Sequence, residues 1–211
     1  MGYLRNGACA LALLLATTAG AQTLPTPAEF YFDADTRTVT PLVAIEGDDD
    51  QTHAKLMQLV DRNGRNAEQA RAQLARALMR SGREETGRAM YAQAFDATSN
   101  RSPLRSALHW HFAWDLYRLG HHAEALDQWR QALDGRLVRP SWAPPTLAMA
   151  LWSNGRRDEA VQWYAAAVRT EPTQWNDPAS YPALLPDWTE AERRTLAEVF
   201  AAWRAAPPAW P

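Results

Sequence analysis

The chain has 211 residues, 46% of them hydrophobic, with 22 basic and 24 acidic side chains and a formal net charge of −2. That length suits one domain, and the near-neutral balance offers no nucleic-acid footprint. One cysteine, Cys9, leaves no disulfide framework.

Residues 1–21 read as a secretory signal peptide. Arg5 gives a positive start, Ala8 to Ala16 is an apolar run, and Ala19-Gly20-Ala21 is a small-x-small cleavage site. The run is too short for a good membrane span. Cys9 precedes most of it, whereas a lipid-bearing cysteine should follow it. Cleavage after Ala21 would start the mature chain near Gln22, without cysteine and with 21 basic residues against 24 acidic. A periplasmic or secreted protein is expected.

Residues 22–50 are expected to form an extended N-terminal arm. Phe30 and Phe32 suggest one extended segment and Thr38 to Val43 another, with Asp33-Ala34-Asp35-Thr36 turning between them. So short a hairpin is marginal unless it packs on something. It is expected to lie on the rest of the chain, the alternative being a strand that pairs with a partner. Gly47-Asp48-Asp49-Asp50 lacks the alternating oxygen ligands and distant Glu of a calcium loop, and acids commonly start a helix.

Residues 51–172 are expected to be helical. His53 to Arg62 places Leu56, Leu59 and Val60 on one face, and Asn63-Gly64-Arg65-Asn66 closes it. Three helix pairs follow: Ala67 to Ser81 with Glu84 to Ala97, Pro103 to Leu119 with His122 to Asp134, and Ala143 to Asn154 with Arg157 to Thr170. Residues 173–188 form a proline-rich loop. Thr189-Glu190-Ala191-Glu192 is a capping box that opens a last helix bearing Leu196, Val199, Phe200 and Trp203, with a tail to residue 211.

The pairs repeat. Gly82, Gly120 and Gly155 mark their turns, 38 and 35 residues apart. Nine positions after each glycine stands an aromatic: Tyr91, Trp129, Tyr164. Five after stands Gly87, Ala125 or Ala160, and twelve after stands Ala94, Ala132 or Ala167. Seven before stands Ala75, Ala113 or Ala148. This pattern resembles the tetratricopeptide repeat. The resemblance covers about half the chain and departs from the family where the first two repeats lack the closing proline and extra residues separate the units. It implies an all-α, right-handed α-solenoid of three helix pairs, a preceding half repeat and a C-terminal capping helix. No single pair can bury its apolar stripe, so pairs stack.

The resemblance also implies that the first helices line a concave, partner-binding groove. Its positions fall on Gln69, Ala72, Gln73, Arg76, Met79 and Arg80, then Ala107, Trp110, His111, Trp114, Tyr117 and Arg118, then Trp142, Pro145, Thr146, Met149, Trp152 and Ser153. The candidate site is therefore Arg76, Arg80, Trp110, His111, Trp114, Tyr117, Arg118, Trp142, Met149 and Trp152, an aromatic strip flanked by arginines. Arg pairs with carboxylates and Trp gives rigid contact area, so a protein or peptide partner with carboxylate groups suits it. The Lys and Asn with which some relatives clamp a terminal carboxylate are replaced by Ala72, Arg76, Trp110 and His111, so that specificity does not carry over.

Two other occupants fit the aromatics: an envelope glycan, or the chain's own arm or tail. His111 and Asp115, spaced i and i+4, are a candidate hydrogen-bonded pair for a hydrolase, without a nucleophile tied to them. His109 and His111 face different ways on a helix and cannot chelate one ion. No phosphate loop, HExxH or paired-carboxylate motif is present. The expectation is a non-catalytic exported adaptor for a cell-envelope protein, with no cofactor or metal. Self-association stays open.

Overall fold

The computed structural model describes residues 24–209; the signal peptide expected over residues 1–21 lies outside them. In chain order the helices are α1 (Thr36–Val39), α2 (Asp50–Arg62), α3 (Ala67–Arg80), α4 (Glu84–Ala97), α5 (Pro103–Arg118), α6 (His122–Leu133), α7 (Ala143–Ser153), α8 (Arg157–Thr170), α9 (Pro172–Trp175), α10 (Tyr181–Leu184) and α11 (Glu190–Ala205). The chain is an all-α solenoid of tetratricopeptide-like pairs: α3 packs on α4, α5 on α6 and α7 on α8.

One local device ends the first helix of every pair. Gly82, Gly120 and Gly155 take φ of 77°, 88° and 73°, a left-handed conformation that glycine adopts without a Cβ penalty. In each turn the glycine N–H reaches back three residues and the next N–H reaches back five, as in Arg83 N to Leu78 O at 2.9 Å and His121 N to Leu116 O at 3.0 Å. These paired bonds satisfy carbonyls that the helix end leaves free. The second helix then opens with acids beside its positive end: Glu84 and Glu85, Glu124, Asp158 and Glu159.

The repeat positions pack as their spacing requires. Tyr91, Trp129 and Tyr164 are fully buried, as are Ala75, Ala113, Ala148, Ala125 and Ala160. Gly87 shows why this position must be small: a Cβ there would stand 2.7 Å from Met79 Cγ and 3.0 Å from Ala75 O. Trp129 meets Trp114 edge-on at 5.1 Å and Tyr117 at 5.7 Å. Trp129 thus seals α6 against α5 of its own pair, whereas Tyr91 reaches Phe112 of the next pair at 4.4 Å.

The two ends are closed as a repeat array requires. At one end α2 packs on α3 through Leu56, Ala70 and Leu74. It begins at Asp50, three residues earlier than its apolar pattern suggests, because the Asp49 side chain accepts from Thr52 N at 2.7 Å. At the other end α11 packs on α7 and α8. Its capping box is complete: Thr189 Oγ1 accepts from Glu192 N and a Glu192 carboxylate oxygen accepts from Thr189 N. Residues 173–188 are more ordered than a proline-rich loop, holding α10 and a 3₁₀ turn at Pro178–Ser180, with Tyr181 and Trp188 buried.

The arm departs from the expected hairpin. Thr38 to Val43 is not a strand; its first residues belong to α1. Asp35, at φ 45°, reverses the chain, and its carbonyl accepts from Thr38 N and Val39 N. The ladder contact goes elsewhere: Asp33 forms a single parallel bridge with Pro140 in the connector after α6. Asp35 decides this outcome, because its buried carboxylate pairs with Arg136 at 2.7 Å and accepts from Trp142 Nε1 at 2.9 Å. Anchoring that side chain holds the arm against α5 and α7 instead of letting it fold on itself.

Candidate functional site

The inner face of α3, α5 and α7 is where the sequence places its candidate groove, and the chain itself covers much of that face. Gln73 of α3 accepts from Ala44 N at 2.9 Å and Ile45 N at 3.2 Å and donates to Ile45 O at 2.7 Å. A primary amide can read a passing backbone in this way, because it carries both donor and acceptor. His111 of α5 donates from Nε2 to Thr40 O at 3.0 Å. Further along, Tyr31 N donates to Thr170 Oγ1, and the Arg139 guanidinium holds the Glu29 carbonyl. From the opposite side Leu184 to Trp188 folds over the same face, with Trp188 edge-on to Trp114 at 5.1 Å.

The candidate residues therefore divide into two groups. Trp110, Trp114, Tyr117 and Trp142 are each 7–8% exposed, His111 is 4% exposed and Met149 is fully buried. Trp110 packs against Trp142 at 4.6 Å, and Tyr117 shares a 2.7 Å hydroxyl bond with Ser153. Trp152 is half-buried, donates to Glu198 at 2.8 Å and carries the Arg157 guanidinium 3.7 Å over its ring. These aromatics hold the fold and present no bare ring platform. The arginines stay at the surface of the face: Arg76 half-buried, Arg80 and Arg118 exposed.

The three arginines border one cleft of about 410 Å³. Trp110, His111, Trp114 and Trp188 line it, the arm contributes Val39 and Pro41, and Leu184 to Asp187 forms the facing wall. Arg118 is committed. Its guanidinium forks onto the Glu192 carboxylate at 2.9 and 3.3 Å, donates to Asp187 O at 3.1 Å and lies 5.1 Å over Trp114. Arg76 is only partly engaged. Its Nε is 4.0 Å from Asp115, beyond hydrogen-bond reach, and has no acceptor although it is buried. Arg80 has no hydrogen-bond or ion-pair partner among the described residues.

Beneath the arginines lies a buried polar pair. Tyr91 donates its hydroxyl to Asp115 at 2.7 Å. Burial raises the Asp115 carboxyl above the ordinary range, against the opposing pull of the Tyr91 hydroxyl and of Arg76. Burial lowers His111 to about 3, helped by the nearby positive charge of Arg76. The proposed hydrolase pair of His111 and Asp115 is not formed. His111 is bonded to the arm and Asp115 to Tyr91, and no hydrogen bond joins the two among the described residues. Among those residues no cluster of three His, Cys, Asp or Glu side chains is placed to hold a metal ion. No described helix is long and apolar enough to cross a membrane.

Sequence reasoning reached the arginines through the repeat register. It passed over Trp188 and Leu184 to Pro186, which lie outside every repeat, and it did not give Gln73 its role. The signal for Gln73 was present, since two amides, Gln69 and Gln73, stood on the predicted groove face.

The fold and this face define a class: a helix-pair solenoid whose inner side is partly filled by its own N-terminal arm and the segment before α11. Comparison with known families agrees in the third pair, where the tetratricopeptide repeat family model matches residues 146–170. Neither the curated proteins nor the solved structures give a match to the chain.

Proposed function

We propose that this protein is an exported, non-catalytic adaptor that holds an acidic segment of a protein partner in the open part of its concave face. The observation that carries this reading is the cleft itself. Arg80 is unpaired at its rim, Arg76 has an unused buried Nε, and a wall of tryptophans stands behind them. A carboxylate placed there gains charge-assisted hydrogen bonds from half-buried Arg76 and from exposed Arg80, which offset the cost of ordering the Arg80 side chain. The repeat match over residues 146–170 supports an interaction scaffold, and the leader pattern of residues 1–21 supports a partner in the cell envelope. The packed rings argue against a glycan platform, and the separate partners of His111 and Asp115 argue against the hydrolase.

The test is a cross-linking pull-down from native envelope with the mature protein and its Arg80→Glu variant. Arg80 is exposed and unpaired, so the variant should fold normally, which circular dichroism and a melting curve check. A partner recovered by the parent and lost by the variant is the expected result. Equal recovery by both would remove the cleft as the binding surface.

A further inference from the structure

Apolar side chains stand in water where the arm meets the connector after α6. Phe30 is 55% exposed, Phe32 59%, Leu137 100% and Val138 55%. Their backbones are neighbours. Asp33 bridges Pro140 in parallel, its N–H donates to Arg139 O at 3.3 Å, and its carbonyl accepts from Ser141 N at 2.8 Å. The Arg139 guanidinium holds the Glu29 carbonyl. Successive side chains of an extended segment point opposite ways, and the arm divides accordingly. Tyr31 turns inward, is 6% exposed and meets Trp163 of α8 at 6.0 Å. Phe30 and Phe32 turn outward and stack on each other at 5.8 Å. Buried Pro140 anchors the connector in the same way. Phe30 carries a second sign, a φ of 61°, which a bulky residue seldom takes. The chain thus holds a strained residue with its ring in water, and the stack on Phe32 covers only part of that ring.

We propose that this patch seats on the surface of a lipid bilayer, with Phe30, Phe32, Leu137 and Val138 entering the headgroup region. Size favours lipid over a second protein. A stable protein interface takes about 20–30 residues from each side. Attachment to a bilayer surface scales with the apolar area inserted and needs no matching shape. Local charge sets the kind of lipid. Exposed Glu29, Asp33 and Asp134 stand beside exposed Arg37 and Arg139, so no cationic surplus draws anionic headgroups. Attachment therefore rests on apolar side chains leaving water, and zwitterionic lipid suffices. None of the four side chains lines the arginine cleft, so a protein seated this way keeps that cleft free.

The experiment is hydroxyl-radical labelling of the intact protein, alone and with vesicles of phosphatidylcholine. Phe30, Phe32, Leu137 and Val138 should label severalfold more slowly with vesicles, while Met57 of α2, 53% exposed, keeps its rate. The double variant Phe30→Ser, Phe32→Ser should keep the parent's melting curve and lower partition into the vesicles about tenfold or more. Leu137→Ser, at a fully exposed position, should lower partition in the same direction. Vesicles that capture the chain through residues 1–21 alone would leave Leu137 as accessible as Met57 and overturn the proposal. Slow labelling of Phe30 and Phe32 without vesicles, at raised protein concentration, would also overturn it and assign the patch to a second copy of the chain. Binding that requires phosphatidylglycerol and is released by salt would overturn it as well, since that marks a charged surface.

Discussion

Gln73→Ala should free the arm from the inner face at one defined point. Three hydrogen bonds join this side chain to Ala44 and Ile45, at 2.9, 3.2 and 2.7 Å. Each is worth about 1 kcal/mol net, and the freed groups of this half-buried segment partly regain water, so the loss should be about 1–3 kcal/mol. Expressed as local opening, that is about a 5- to 150-fold increase in exchange at the Ala44 and Ile45 amides. Hydrogen exchange with mass spectrometry reads this directly, with Gln69→Ala, one turn away and without a bond to the arm, as the control. Gln73→Glu keeps the acceptor and loses the donor to Ile45 O, so it should fall between. Unchanged protection at Ala44 and Ile45 in Gln73→Ala would refute the idea that this amide holds the arm.

Four further outcomes follow from the same contacts. Trp129→Ala and Tyr164→Ala should each cost about 3–5 kcal/mol in urea unfolding, whereas Trp129→Phe should cost far less, because Trp129 Nε1 is buried without an acceptor and its removal relieves that penalty. Tyr91→Phe should destabilise by about 1–3 kcal/mol at neutral pH by stripping the buried Asp115 carboxylate of its donor. The native Asp115 carboxyl holds its proton to a higher pH than the unfolded one, so its ionisation opposes folding as pH rises above the usual carboxylate range; the Tyr91→Phe penalty should therefore shrink in acid. His111 has the opposite sign. Its native value near 3 lies below the unfolded 6.5, so the unfolded chain takes the proton first, and stability falls as pH drops through that window by up to about 1.4 kcal/mol per pH unit. His111→Gln should flatten this part of the pH–stability curve. Arg118→Ala should cost about 1–3 kcal/mol and loosen α11, a discounted figure because Arg118 is partly exposed although Glu192 is buried.

The repeats were legible because their rules are local. A glycine that must take a positive φ, a small residue where helices touch and an aromatic in the wedge each leave a mark at fixed spacing, and Glu84–Ala97 and Arg157–Thr170 were reached to the residue. The arm's place on the helices was legible but its conformation was not, because Asp35, just before α1, is held by Arg136 and Trp142, about a hundred residues away in sequence. The groove shows the same division. Register placed Arg76, Arg80 and Arg118 on the inner face, yet nothing in the repeat pattern states that Thr40 would come to rest on His111 and Trp188 on Trp114. An aromatic strip reads alike whether its cover is a partner or the chain itself.

Hydroxyl-radical footprinting of the intact protein tests the self-covered concave face most directly. Trp110, Trp114 and Trp142 should label slowly, like fully buried Trp129, while Phe30 and Phe32 label fast, in keeping with their exposures. Rapid labelling of Trp110 and Trp114 alongside Phe32 would contradict it, and would return the full aromatic strip to a partner.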